Sequence, residues 1–159
     1  MKINIKKFIP YFIFTGVAAI LLITASAIYA AKGYGKRCVF IFPSVDEGRY
    51  VLETRYLKEN PNKDYVNFFL DELVLGSGLE RTKYLFAPGT KIISCFERNQ
   101  MLYLNLSADI IYMGHNVIQI KDGMELLKKN VYKNFPDIKE VQIFVDGNYA
   151  YEIEKYAFE

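Results

Sequence analysis

The hydrophobic positions divide the chain into one long uncharged run and a remainder of short alternating runs. No charged side chain occurs from Phe8 to Ala31. A bilayer core needs about 20 apolar residues in a helix, so the run predicts a single-pass transmembrane helix after a basic N-terminus over residues 1–7. The Lys-rich start and Ala25-Ser26-Ala27 are also typical of a cleaved signal peptide. We favour an anchor in the cytoplasmic membrane with the C-terminal domain outside; cleavage would make that domain periplasmic or secreted.

The first half of that domain alternates between apolar runs and turns. Cys38–Phe42 predicts a buried strand, and Arg49–Leu57 predicts a second, weaker extended piece. Asn60-Pro61 predicts the start of a helix, because Asn caps helices and Pro fits their first position. Gly76 predicts its end. The helix has one apolar face, made of Val66, Phe69, Leu70, Leu73 and Val74.

The second half predicts a hairpin and a closing strand. The hairpin joins Lys91–Glu97 to Met101–Ser107 across Arg98-Asn99-Gln100, and leucines alternate with polar or aromatic residues on its return strand. The closing strand, Val141–Val145, also alternates and ends at an Asp-Gly turn. Tyr149–Ile153 then predicts a short edge strand.

A second helix completes the set of elements. It ends at Phe135-Pro136, and either Asn116 or Asp122 is its start. Its inner stripe consists of Met124, Leu127 and Val131. The resulting order, β-α-β-β-α-β, predicts one α+β domain over residues 38–159, with two helices packed on one face of a mixed sheet. A linker over residues 32–37 precedes it.

Composition and charge exclude several classes of protein. Of 159 residues, 52% are hydrophobic, which is enough to bury a core and excludes a disordered protein. All acidic side chains lie after Arg37, whereas six basic ones and no acid precede Cys38. The domain is therefore net negative and carries no basic stripe. Because binding to phosphates needs clustered Lys and Arg, we expect no nucleic-acid partner.

Few residues are available for catalysis or for holding a metal or cofactor. His115 is the single histidine, and with Ser107 and Asp109 it is the best candidate for a hydrolytic triad. No nucleophile-elbow motif supports that triad, so we interpret His115 as a solvated loop residue. The chain is too poor in His and Cys for a zinc site. We therefore predict a non-enzymatic protein with no catalytic, metal-binding or cofactor-binding residues.

The two cysteines lie on different predicted strands. Cys38 belongs to the first strand and Cys95 to the hairpin. In a sheet of the predicted order these strands flank a third one, which keeps the two Cα atoms beyond bridging distance. We therefore expect two buried free thiols.

Five motifs in the same order resemble the GerMN domain family, which occurs in bacterial sporulation, germination and envelope proteins. They cover roughly residues 39–148, whereas Tyr112–Gln119 does not align with the family's pattern. The resemblance implies a compact α+β domain akin to ring-building motifs, which stack side by side in envelope assemblies, and no known catalysis. The motifs are Phe42-Pro43, Glu72-Leu73-Val74-Leu75-Gly76, Pro88-Gly89-Thr90-Lys91-Ile92-Ile93-Ser94, Leu104-Asn105-Leu106-Ser107, and Asn134-Phe135-Pro136 with Val141-Gln142-Ile143-Phe144-Val145-Asp146-Gly147.

These observations favour a protein of envelope assembly that associates with itself or with envelope protein partners. An end strand of a sheet leaves backbone groups that another chain can pair with. Tethering at a membrane raises the effective concentration and favours weak contacts. The predicted interaction edge is Val141, Ile143, Phe144, Val145, Tyr149 and Tyr151.

Two alternatives remain open. The first is a module that binds cell-wall glycan or peptide, for which exposed tyrosines would supply stacking surfaces. The second and more remote one is a hydrolase based on His115. The tyrosines considered for the binding module are Tyr103, Tyr112, Tyr149 and Tyr151.

Overall fold

The computed structural model describes residues 9–31, 35–46, 48–58, 60–112 and 114–150. The chain forms two compact units, residues 1–35 and residues 36–159. The first unit contains helix α1, Ile9–Ala31. Among the described residues, no helix reaches the combined length and hydropathy that a bilayer crossing requires. The predicted transmembrane helix over Phe8–Ala31 is therefore not supported.

The second unit contains six strands, two α-helices and one short 3₁₀-helix within its described residues. Both predicted helices and all the predicted strands that lie within those residues are present. The weaker extended piece is a full eight-residue strand, β2. The elements are β1 (Lys36–Pro43), β2 (Tyr50–Leu57), α2 (Tyr65–Leu75), β3 (Ile92–Arg98), β4 (Met101–Leu106), a 3₁₀-helix (Ala108–Ile111), α3 (Ile120–Asn134), β5 (Glu140–Val145) and β6 (Asn148–Tyr149).

Strands β3 to β6 form a four-stranded mixed sheet in the order β3-β4-β5-β6. β4 and β5 are parallel, whereas β3-β4 and β5-β6 are antiparallel. The β3-β4 turn has only two central residues, Asn99 and Gln100, with φ angles of 53° and 63°. Two successive left-handed residues match the twist of a tight hairpin, so the predicted hairpin and the mixed sheet are confirmed.

The first strand does not join this sheet, which corrects the predicted single sheet. β1 pairs antiparallel with β2 along its whole length, from Lys36 opposite Leu57 to Pro43 opposite Tyr50. The two strands form a separate two-stranded sheet. Cys38 and Cys95 are consequently in different sheets, and both thiols are free.

Two asparagines of α3 occupy the edge of β1 that a third strand would otherwise use. Asn130 accepts a hydrogen bond from the Ile41 amide (2.7 Å) and donates one to the Ile41 carbonyl (2.9 Å). Asn134 makes the same pair of bonds with Val39, both at 2.8 Å. Residues four apart lie on the same face of a helix, and residues two apart lie on the same side of a strand. Asn130 and Asn134 can therefore reach Ile41 and Val39, respectively. The side-chain amides thereby replace the missing strand.

Helices α2 and α3 and the inner sides of the sheets share one hydrophobic core. Phe40 of β1 stacks on Phe69 of α2, with ring centroids 4.7 Å apart. The alternating residues of β4 and β5 supply the floor of this core. The buried side chains at its centre are Phe69, Leu70 and Leu73 of α2, Leu127 and Val131 of α3, Leu102, Leu104 and Leu106 of β4, and Val141, Ile143 and Val145 of β5. Both helices therefore cover the same face of the four-stranded sheet, as predicted.

The observed helix ends agree with the predicted ones to different degrees. α2 begins at Tyr65, because Asn60 closes a turn through bonds from the Asn62 amide (3.0 Å) and the Lys63 amide (3.1 Å) instead of capping a helix. Gly76 ends α2 as predicted, with a φ of 99°. The start of α3, Ile120, lies between the two predicted positions.

A half-buried ion-pair network joins β2 to the end of α2. The Arg55 guanidinium binds both carboxylate oxygens of Glu53 (2.7 and 3.1 Å) and donates to the Gly76 carbonyl (2.7 Å). It also lies 3.1 Å from Glu72 Oε2 and 4.8 Å from the ring centroid of Phe40. The hydrogen bond from Arg55 is the main cause that lowers the pKa of Glu53, against the opposing effect of burial.

Candidate interaction surface

The second face of the four-stranded sheet is not covered by either helix of the domain. We call this surface the open face and define it as Ser94, Phe96, Tyr103, Asn105, Phe144 and Tyr149. Their positions follow from the register, because residues directly opposite each other point to the same side of a sheet. Phe96 is opposite Tyr103, and Ser94, Asn105, Phe144 and Tyr149 form one row across all four strands.

Two aromatic pairs dominate the open face. The rings of Phe96 and Tyr103 are stacked, with centroids 4.9 Å apart and an interplanar angle of 11°. Phe144 and Tyr149 pack at 5.5 Å with their planes tilted by 59°. Phe96 is 56% exposed, while the other three rings are half-buried. These pairs create a broad aromatic surface with an irregular relief.

A shallow groove of about 210 Å³ lies on the open face and is lined by Phe96, Tyr103, Phe144, Ser94, Asn105 and Gly147. Asn105 also accepts a hydrogen bond from the Gly147 amide at 3.0 Å. This bond fixes the turn between β5 and β6, in which Asp146 and Gly147 have φ angles of 48° and 81°. The position of Tyr149 beside Phe144 therefore depends on a side chain of β4.

The structure divides the predicted interaction edge into two groups. Val141, Ile143 and Val145 are buried in the core, with at most 4% of each residue exposed. Phe144 and Tyr149 lie on the open face, because successive residues of a strand point to opposite sides. Tyr151 lies outside the described residues. The predicted edge therefore combined residues from both faces of β5.

The tyrosines considered for ligand binding are also divided. Tyr103 and Tyr149 lie on the open face, whereas Tyr112 is 71% exposed and follows the 3₁₀-helix, outside the strands of the sheet. Phe96 is the main contributor that the sequence analysis missed. The signal was available, since Phe96 is opposite Tyr103 once the hairpin turn is placed between residues 98 and 101.

The candidate triad is not assembled. Ser107 donates a hydrogen bond to Asp109 (2.9 Å) and accepts one from the Lys91 amide (3.0 Å). Within the described part of the chain, no hydrogen bond joins His115 to either side chain. The Ser107 hydroxyl therefore links the Lys91 amide to the Asp109 carboxylate, and within the described residues it has no hydrogen bond to a histidine base.

Neither cysteine has the properties of a reactive thiol. Cys38 is buried, and its sulfur lies 3.0 Å from the hydroxyl of Tyr65. Burial raises the pKa of Cys95 to about 12, and the negative charges of Asp64 and Asp71 add to this effect. Since the thiolate is the nucleophile, Cys95 remains protonated near neutral pH.

Comparisons with known proteins found similarity in sequence and in fold. No family model matches the chain. The chain is 23% identical over 105 residues to an uncharacterized lipoprotein of Treponema pallidum, covering 66% of this chain and 78% of that protein.

Two solved structures of Bacillus subtilis GerM, a sporulation protein, resemble the structure. Its tandem GerMN domains match with a TM-score of 0.56 and 18% identity, over 72% of this chain and 40% of that one. Its first GerMN domain matches with a TM-score of 0.54 and 13% identity, over 72% and 85% of the two chains. Together with the motifs, these matches confirm the predicted resemblance, and the chain has a GerMN-like fold.

Proposed function

We propose that this chain is a non-enzymatic assembly domain of the cell envelope. Its domain lies outside the cytoplasmic membrane, is attached to the membrane, and binds envelope proteins through the open face. The observation that carries this proposal is the aromatic open face on a sheet whose other face packs against the helices in the core. Soluble domains rarely leave such contiguous apolar surfaces exposed unless they bind something, and aromatic side chains are enriched at protein interfaces.

The comparisons support the envelope setting. The Treponema relative is described as a lipoprotein, which is a membrane-attached class of envelope protein, and the GerMN domains belong to a sporulation protein. Neither is named as an enzyme. The proposal of a role in sporulation or germination rests on the similarity in fold to the GerMN domains.

Cross-linking of the full-length protein in its native membrane tests this function. Phe144→Lys and Phe96→Lys place a charge on the open face, and we expect both to remove cross-links to other envelope proteins. Tyr112→Lys is the matched control, since it changes an exposed aromatic residue that is not on the strands of the sheet and should leave those cross-links intact. Cross-links to other envelope proteins that survive both open-face substitutions would contradict the proposal.

A cell-wall glycan is the second candidate ligand, because the parallel stack of Phe96 and Tyr103 offers a flat aromatic surface to a sugar ring. This alternative predicts a monomeric protein that binds purified cell wall saturably. Phe96→Ala and Tyr103→Ala would then weaken that binding, whereas Tyr112→Ala would not.

Membrane attachment is tested separately. We expect the protein in the membrane fraction, and we expect protease added to intact spheroplasts to digest the domain. Full protection from the protease would contradict an extracytoplasmic location.

A further inference from the structure

Strand β2 has one edge with which no other described strand pairs. Val39 and Ile41 direct their backbone groups toward Asn134 and Asn130, away from β2. Their partners in the register are Thr54 and Leu52. In an antiparallel pair, opposite residues either exchange hydrogen bonds or both point away. The amides and carbonyls of Leu52 and Thr54, and by the same alternation those of Tyr56, therefore point outward.

This edge is also exposed and apolar. Leu52 is 66% exposed, and Tyr50 and Tyr56 are 60% and 62% exposed. In the parts of the chain that the structure describes, no strand pairs with β2 on this side. Proteins usually protect long apolar edge strands, because such strands pair readily with other chains.

The other sheet edges are short or partly occupied. Asn130 and Asn134 bind along β1, and β6 contains only two residues. Asn67 donates a hydrogen bond to the Cys95 carbonyl (3.3 Å) at the edge of β3. The β2 edge, eight residues long, is therefore the most favourable edge for adding a strand.

We propose that β2 pairs antiparallel with β2 of a second copy, around a two-fold axis at Thr54. This inference rests on the proposed assembly function and specifies self-association as one part of it. Outward backbone groups meet outward groups in this arrangement: Thr54 faces itself and Leu52 faces the partner's Tyr56. Thr–Thr pairs are favourable across strands, and the pair of Leu52 and Tyr56 covers two exposed apolar side chains. The result is a continuous four-stranded sheet across the two copies.

Charge complementarity selects this register and a second copy as the occupant. With the axis at Thr54, Glu53 lies opposite the partner's Arg55, and the same contact repeats by symmetry. An axis at Glu53 would instead oppose two carboxylates, and an axis at Arg55 would oppose two guanidinium groups. Like charges directly opposite each other are destabilising. Both groups belong to the Arg55 network, so the pairing extends existing ion pairs.

Disulfide cross-linking of the full-length protein in its membrane tests the register. Cys95→Ala removes the less buried native thiol, while Cys38 stays buried. In this background, differently tagged Leu52→Cys and Tyr56→Cys chains are co-expressed and oxidised. We expect a mixed disulfide dimer. Leu52→Cys alone should give little dimer, because those two positions are about 13 Å apart in the proposed register. An absent mixed dimer, or equal dimer from Leu52→Cys alone, would overturn the proposal.

A proline substitution tests the edge itself. Thr54→Pro removes an outward amide that has no hydrogen-bond partner among the described residues, a position where an edge strand tolerates proline. Thr54→Val keeps the amide and is the matched control. We expect Thr54→Pro to reduce the mixed dimer at least tenfold and Thr54→Val to leave it, with unchanged circular dichroism in both. Equal dimer in both variants would overturn the pairing.

The open-face variants separate this inference from the proposed function. If Phe96→Lys abolishes cross-linking to other envelope proteins while the β2 disulfide is absent, the β2 pairing is wrong and the proposed function stands. If neither surface gives a cross-link that its own substitutions remove, both are wrong.

Discussion

Replacing Asn130 by alanine tests the physical reason for the two-sheet architecture. The substitution removes both hydrogen bonds to Ile41 at a position with no solvent exposure. Water has little access there, so the amide and the carbonyl of Ile41 are left without partners. Asn134→Ala is the matched control: it removes the same two bonds to Val39, but its side chain is only half-buried.

The magnitude follows from burial. Leaving a buried polar group unpaired costs about 1–3 kcal/mol, so two such groups in Asn130→Ala lower the free energy of unfolding by about 3 kcal/mol. Water can replace the lost bonds in Asn134→Ala, and we expect a loss of about 1 kcal/mol. The gain in helix propensity from Asn to Ala is similar at the two positions and cancels in the comparison. The difference between the variants is therefore about 2 kcal/mol.

The assay is urea unfolding of the full-length protein in mild detergent, followed by the near-ultraviolet circular dichroism of its 13 tyrosines. Hydrogen exchange adds a local measurement. We expect faster exchange of the Ile41 amide in Asn130→Ala and of the Val39 amide in Asn134→Ala. Equal losses of stability, or a larger loss for Asn134→Ala, would refute the argument that burial makes these bonds valuable.

Three further predictions concern a glycine, a thiol and a carboxylate. Gly123→Ala should destabilise the domain by about 1–3 kcal/mol in urea unfolding, because its Cβ would overlap the Leu85 carbonyl oxygen; wild-type stability would contradict that overlap. Cys95 should resist iodoacetamide at pH 8 until the protein is unfolded, since its pKa is about 12; rapid labelling of native protein, measured by mass spectrometry, would contradict this. The lowered pKa of Glu53 means that its ion pair with Arg55 stabilises the fold above the ordinary carboxylate pKa, and that this contribution disappears as the pH falls through the lower value. Glu53→Gln should therefore reduce stability at pH 7 and flatten its decline in acid, and an unchanged pH profile would refute this.

The candidate surface could be predicted only in part. Alternation along β5 separates Phe144 from Val141 and Val145, yet the pattern alone does not state which face the helices cover. Phe96 was harder to recognise, because β3 carries an irregularity between Ile92 and Ser94 that interrupts its alternation. A bulge of this kind moves the following side chains to the other face.

Short-range sequence signals were sufficient to predict which helices and strands are present. Helical spacing predicted the buried faces of α2 and α3, Gly76 predicted the end of α2, and Asn99 could adopt the left-handed angle of the tight hairpin. Each of these features depends on neighbours within a few residues, so its signal is contained in a short stretch of sequence.

Only the tertiary structure decided how those elements were combined. The order of the elements was compatible with β1 inside one mixed sheet. However, Asn130 and Asn134, which lie about 90 residues from β1 in the sequence, form hydrogen bonds along its free edge. The open face remains exposed because α2 and α3 pack on the other face of the four-stranded sheet. The β2 edge remains exposed because the two asparagines bind to β1. Such pairing depends on contacts between distant segments, which composition and periodicity do not encode.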